Sequence, residues 1–235
     1  MIREMKKHIP NAITCGNLIS GCIAAGAAFY GNYQWAVLMI IIGAVFDFFD
    51  GLSARALGVS SPIGKELDSL ADVVTFGVAP SAILFYLFQE VHCPELLMPV
   101  YDLLPYTAFL MAAFSALRLA KFNLDTRQTT QFIGLPTPAN ALFWGSLVLG
   151  QHEFLVSLKF NAVFLLLFMV LFCWLLVAEI PMLALKFKSL SWQENRWRYV
   201  LLLGCLPCFL LGTSCFAAII VWYILLSIVH NKVQG

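Results

Sequence analysis

Apolar stretches long enough to cross a bilayer recur along this whole sequence, and they leave few folds open. A helix of about 20 residues, rising about 1.5 Å per residue, spans the roughly 30 Å hydrocarbon layer. Such stretches fall at 13–30, 34–56, 65–89, 103–122, 136–151, 157–179, 197–212 and 214–230. In lipid, every backbone N–H and C=O must find a partner inside the protein, which only helices and closed barrels achieve. A barrel would alternate apolar and polar residues over strands of about 10, and this sequence does not. The expected fold is all-α: a polytopic membrane helix bundle of eight transmembrane helices. A short interfacial N-terminal helix, from the basic "MIREMKKHI", precedes them. Pro207 and "GTS" at 212–214 divide the last apolar run in two; six spans is the alternative count. The chain reads as one domain, 1–235, with a first part at about 8–142 and C-terminal spans at about 157–230. A cleaved signal peptide is the weaker reading of the N-terminus, because Asn17 and two glycines interrupt its apolar core.

Loop charge gives the orientation. With the N-terminus in the cytoplasm, every one of the 14 Lys and Arg residues except Lys159 falls on the cytoplasmic side. Lys186 and Lys188 are among them, and Glu90, Glu95, Asp102 and Glu153 fall outside. Both termini are then cytoplasmic in a multi-pass protein of the cytoplasmic membrane. A net charge of +1 provides no basic field for nucleic acid. Most of the seven cysteines sit in apolar runs, where they act as small hydrophobes, and Cys205-x-x-Cys208 has no second ligand pair.

Only 11% of residues are charged, against about 25% in soluble domains. Yet "FDFFDGLSARALGVSSPIGKELDSLADVVTFG", residues 46–77, holds Asp47, Asp50, Asp68 and Asp72, with Arg55, Lys65 and Glu66. Asp47 and Asp50 are three apart at the cytoplasmic end of one span. Gly64, Asp68 and Asp72 are four apart at the start of the next, so each set lines one helix face. The short link "ALGVSSPI" makes the two helices neighbours. Four carboxylates converging near the membrane repel one another, and each costs several kcal/mol to desolvate. Ionisable groups inside spans are functional until shown otherwise. Hard oxygen ligands with no His or Cys nearby favour Mg²⁺ or Mn²⁺, with Ca²⁺ also compatible, and one or two ions would neutralise the cluster. Gly51, Ala54 and Gly64 allow either close ligand approach or tight helix packing; beside four aspartates, ligand approach explains them better.

The spacing Asp47-x-x-Asp50-Gly51-x-x-Ala54-Arg55, then eight residues, then Gly64-x-x-x-Asp68-x-x-x-Asp72 resembles the signature of the CDP-alcohol phosphotransferases at every defined position. The resemblance implies a membrane enzyme in which an alcohol attacks the phosphorus of a CDP-linked lipid and CMP leaves. It implies that Asp47, Asp50, Asp68 and Asp72 hold a pair of divalent metal ions and that Asp72 is also the general base. Gly51, Ala54, Arg55 and Gly64 are then CDP-lipid-binding positions, and a homodimer is implied. "IPNAITCGNLISG" (9–21), "GKELDSLADVVTFGVAPSAILF" (64–85) and "ALRLAKFNLDTRQTTQFIGLPTPANA" (116–141) resemble the phosphatidylserine synthase branch. CDP-diacylglycerol and L-serine are then the substrates, and membrane lipids the surroundings. A sister enzyme using glycerol 3-phosphate is the alternative, then one using an amino alcohol or inositol. A cation transporter is the remote one, since its carboxylates would sit near the midplane of an inverted repeat. Asn17 would contact the nucleotide or bond to another helix. Arg118 and Lys121 would bind the lipid phosphate or the serine carboxylate, or anchor the cytoplasmic face. "GLPTP" (134–138) would shape the pocket or simply start a helix.

Overall fold

The computed structural model describes residues 2–59, 61–125, 127, 132–184 and 191–234; Lys186 and Lys188 lie outside them. Helix α1 (Ile2–Phe29) carries Pro10 inside it, so the surface segment and first span, expected as separate pieces, form one continuous helix. At Gly31 the chain reverses through a left-handed conformation, φ 72°, with Tyr86 where a Cβ would stand. Asn32 caps α2 (Tyr33–Leu57), accepting from the Trp35 N–H at 3.1 Å. Gly58 ends that helix at φ 61°, and the Val59 N–H returns to the Ala54 carbonyl at 3.0 Å. Ser61 then caps α3 (Pro62–Asp72), its hydroxyl accepting from the Gly64 N–H at 2.9 Å, with Pro62 in the first turn. The link between the two aspartate pairs is therefore a capped helix–turn–helix.

Beyond Asp72 the helix continues through a π turn, Val73–Val78, into α4 (Ala79–Glu90). Pro80 accounts for the turn. Its ring displaces the carbonyl four residues back, and the wider winding makes room: the Ala79 N–H bonds to the Val74 carbonyl, five residues away. Pro99 and Pro105 act similarly on Glu95–Phe109, which winds as a 3-10 helix into α5 (Leu110–Leu124). This helical stretch thus begins earlier than the expected 103. After it come β1 (Phe132–Ile133), α6 (Thr137–Leu155), α7 (Ala162–Val177), β2 (Pro181–Met182), α8 (Trp192–Cys208) and α9 (Cys215–Gln234). The two short strands pair antiparallel, Phe132 opposite Met182 and Ile133 opposite Pro181. No pattern in the sequence announced them.

Among the described residues, all regular structure apart from that pair is helical. By length and composition, five helical stretches can cross a bilayer: His8–Phe29, Tyr33–Leu57, Pro62–Glu90, Glu95–Leu124 and Asn195–Val233. That is fewer than the eight expected, for three physical reasons, the first being that α6, 19 residues long, is diluted by Asn140, Gln151, His152 and Glu153. Helix α7 has 16 residues, about 24 Å of rise. The last stretch is one apolar run of 39 residues that contains both α8 and α9. Within it, Phe209–Ser214 breaks the helix at Gly212, φ 59°. The halves fold back on each other: Trp197 and His230 have ring centres 5.4 Å apart, and Trp222 Nε1 donates to the Leu201 carbonyl at 3.3 Å. The break expected from Pro207 and "GTS" is present.

Helix α4 lies at the centre, buried at every position from Ala79 to Leu84, as a helix with no polar face must be. Helices α2 and α6 pack antiparallel. The Tyr33 and His152 rings are 5.4 Å apart, and Val37 occupies the space over Gly145. Phe48, Phe49, Leu203 and Leu210 point outward, as befits surfaces in hydrocarbon. Two glycines bring three elements unusually close. A Cβ on Gly21 of α1 would stand 2.7 Å from Thr75 Cα in the π turn, and one on Gly43 of α2 would stand 2.5 Å from Thr75 Cγ2.

Candidate active site

Asp47 and Asp50 project from α2, Asp68 and Asp72 from α3, on either side of the capped turn. Asp47, Asp50 and Asp68 each bring a carboxylate oxygen within 4.8 Å of those of the other two. Two full charges at that separation repel by roughly 3–4 kcal/mol at an effective dielectric near 20. Among the described residues no salt bridge relieves this, and Arg55 and Lys65 are both exposed. The Lys65 ammonium instead reaches the Asn123 carbonyl at 3.3 Å. Asp68 Oδ1 is buried and has no hydrogen-bond partner within the protein. A hard, acceptor-only donor set with a buried unpaired oxygen fits a divalent cation.

Asp72 stands apart from the three. It is buried one turn further along α3, and its Oδ1 accepts from Asn17 Nδ2 at 3.0 Å. Asn17 is itself fixed, its carbonyl accepting from Thr75 Oγ1 at 3.0 Å. Asp50 is held in the same manner from α1, accepting from Thr14 Oγ1 at 2.6 Å. So α1 orients one carboxylate on each of the two aspartate helices.

Beside the cluster lies a cavity of about 260 Å³, lined by Asp50, Gly51, Ala54, Gly64 and Asp68 with Pro10, Asn11, Thr14, Val59, Ser61 and Lys65. A Cβ on Gly51 would meet nothing but the Arg55 guanidinium of its own helix, 3.5 Å away, so Gly51 is not a helix-packing glycine. Gly64 faces Asn11 Oδ1 and Ser61 Oγ, each 3.0 Å from such a Cβ. Arg55 lies over Gly51 at the rim rather than on the cavity wall. Asn17 is not on the wall either; it stands behind, on Asp72.

Arg118 and Lys121 line a second cavity of about 290 Å³, with Leu124, Asp125, Arg127, Ile133, Glu179 and the end of α7. Arg118 is buried, its guanidinium carbon 5.0 Å from the centre of the Phe122 ring. Asp72 is the carboxylate in electrostatic reach of it. Arg127 at the mouth pairs with Asp125 at 2.8 Å and Glu179 at 3.4 Å. "GLPTP" runs beside this cavity: Gly134 takes φ 76° because Leu176 O stands 2.5 Å from where its Cβ would be.

Thr14, Asn11, Ser61 and Thr75 were not singled out in the sequence, and Lys65 was noted only as a charge beside the aspartates. A signal for two of them was there: Asn11, Thr14, Asn17 and Ser20 recur every third residue through an otherwise apolar helix. Removing the hydroxyl in Thr14→Val is expected to raise the metal concentration giving half-maximal activity about 10-fold, because groups that orient metal ligands typically contribute that much affinity. A Mn²⁺ titration of turnover measures it; an unchanged midpoint would mean that Asp50 needs no orientation from α1.

A family model described as CDP-alcohol phosphatidyltransferase matches residues 7–230. A Bacillus subtilis protein named CDP-diacylglycerol--serine O-phosphatidyltransferase is 42% identical over 135 residues, covering 56% of this chain and 70% of the relative. A Helicobacter pylori protein of the same name is 30% identical over 235 residues, covering 95% and 94%. One from Saccharomyces cerevisiae is 39% identical over 168 residues, covering 64% and 55%.

Proposed function

This chain belongs to the CDP-alcohol phosphatidyltransferase family, and from that premise we propose both its reaction and how its residues perform it. The enzyme moves a phosphatidyl group from CDP-diacylglycerol to the hydroxyl of L-serine, giving phosphatidylserine and CMP. The names and identities of its relatives support this reaction. The observation that carries the site assignment is the meeting of Asp47, Asp50 and Asp68 beside a cavity walled by Gly51, Ala54 and Gly64.

Asp47, Asp50 and Asp68, joined by Asp72, hold the divalent cations, Mg²⁺ or Mn²⁺, two in number. Bound there, such ions neutralise the phosphoryl oxygens and stabilise the departing CMP. Gly51, Ala54 and Gly64 give the CDP group close access to the backbone, and Arg55 covers it from the rim. Asn17 serves by orienting Asp72. Asp72 takes the proton from the serine hydroxyl as its oxygen bonds to phosphorus and the bond to CMP breaks. Arg118 and Lys121 attract the serine carboxylate or the lipid phosphate through the second cavity; arginine suits either by paired hydrogen bonds.

The chain acts as one domain, with residues 8–142 carrying the chemistry. Counting the shorter α6 and α7 and the two halves of the last stretch separately, its helices cross the membrane eight times, with both ends and the active site facing the cytoplasm. The turns before Pro10 start α1 at the cytoplasmic surface, and two copies form a homodimer. Near-exclusive placement of Lys and Arg on one side supports the orientation. The decisive test incubates purified protein with CDP-diacylglycerol, Mn²⁺ and, separately, serine, glycerol 3-phosphate or inositol. CMP release is expected with serine; release with glycerol 3-phosphate alone would overturn the acceptor.

A further inference from the structure

Five buried side chains on three helices that pack on the π turn carry polar atoms with no hydrogen-bond partner among the described residues. They are Asn17 Oδ1, Ser115 Oγ, Arg118 Nε, Thr137 Oγ1 and both amide atoms of Asn140. Ser115, Thr137 and Asn140 have no exposed surface, and Arg118 has 6%. Buried polar atoms are nearly always paired, so each exception needs a reason. Interhelical hydrogen bonding is the usual reason for polar residues in a membrane bundle. These atoms make no such bond.

They converge on one level of the bundle. The α2–α6 register, Tyr33 beside His152 and Val37 over Gly145, extends to put Asn140 level with about Gly43. Gly43 is the residue packed on Thr75 and Asn17. Helix α6 also packs on the π turn. Ser115 packs on the same turn, its Cβ 3.1 Å from where a Gly77 Cβ would be. Arg118 is one turn further along α5, in reach of Asp72. Ile133, on the second-cavity wall, leads through Gly134–Pro136 directly into Thr137.

We infer that Thr137 and Asn140 are specificity-determining residues that, with Arg118, select an amino-acid zwitterion as acceptor. The inference rests on the serine reading above. Arg118 Nε can only donate, and Asn140 Nδ2 joins it on a carboxylate. Asn140 Oδ1 and Thr137 Oγ1 accept from an ammonium. A zwitterion satisfies both sets while its hydroxyl approaches Asp72. Glycerol 3-phosphate offers no cation to the acceptors, and inositol offers neither the carboxylate nor the ammonium. A site built to hydrogen-bond a group rejects the analogue lacking it by orders of magnitude.

Full-length Asn140→Leu and the near-isosteric Thr137→Val would be assayed with L-serine, glycerate, which lacks the ammonium, and ethanolamine, which lacks the carboxylate. Each variant is expected to raise KM for serine about 10-fold or more, the equivalent of one lost hydrogen bond. The preference for serine over glycerate should narrow by a similar factor, with CDP-diacylglycerol binding unchanged. Wild-type KM for serine in both folded variants, or a parallel loss with serine and glycerate, would overturn the assignment alone. Wild-type protein that releases no CMP with serine would overturn the functional reading and this assignment together.

Discussion

Asp72→Asn is expected to slow CMP release at least ~1,000-fold, about 4 kcal/mol of barrier, while CDP-diacylglycerol still binds. The substitution keeps the side-chain shape, and the remaining oxygen can still accept from Asn17 Nδ2, now at 3.0 Å from Asp72. What disappears is the group that takes the serine proton. Because Asp72 lies outside the set of three converging carboxylates, much of the metal and nucleotide site should persist. Equilibrium binding of labelled CDP-diacylglycerol, read beside single-turnover CMP release, separates the two effects. Turnover near the wild-type rate would remove Asp72 as the base.

The second large effect has opposite signs in two measurements. Asp68→Asn should abolish turnover yet stabilise the protein in chelator. Asp68 shares its space with Asp47 and Asp50, and removing one charge relieves their repulsion by roughly 1–3 kcal/mol after solvent screening. In a chain of this length, that is a Tm rise of about 2–10 °C. Wild-type protein should instead gain stability from Mn²⁺, by about 2.7 kcal/mol at 100 times Kd, and the variant should gain little. A variant that melts lower than wild type in chelator would show that the carboxylates are neutralised within the protein, not by a cation.

The aspartate site was legible because its logic is local. Asp47 with Asp50, and Asp68 with Asp72, are each one helical turn apart, and Gly58, Ser61 and Pro62 are the residues a helix–turn–helix link requires. The second cavity was not legible in the same way. Arg118 and Ile133 meet the end of α7 only through packing of residues about 45 to 60 positions apart, and sequence periodicity carries no register between distant helices. Asn140 illustrates the same limit. In the sequence it is one polar residue in an apolar span, and only its unpaired burial distinguishes it. Pro80 was visible, but the local rule for proline predicts a break or a kink. The chain widened its winding instead and kept the helix axis running.

Thr75 has a mechanical consequence for the chemistry one turn below it. Wedged between Gly21 and Gly43 and hydrogen-bonded to the Asn17 carbonyl, it works like a key in a keyway. Axial rolling of the Asp68–Asp72 helix would drive this side chain into one backbone or the other. Thr75 lies three residues beyond Asp72 and seven beyond Asp68, spacings that share a helix face, so fixing Thr75 fixes the azimuth at which the two aspartates face the opposite pair. The carboxylates are thereby aimed before any substrate arrives, and little reorientation of the helix remains for the reaction itself to drive.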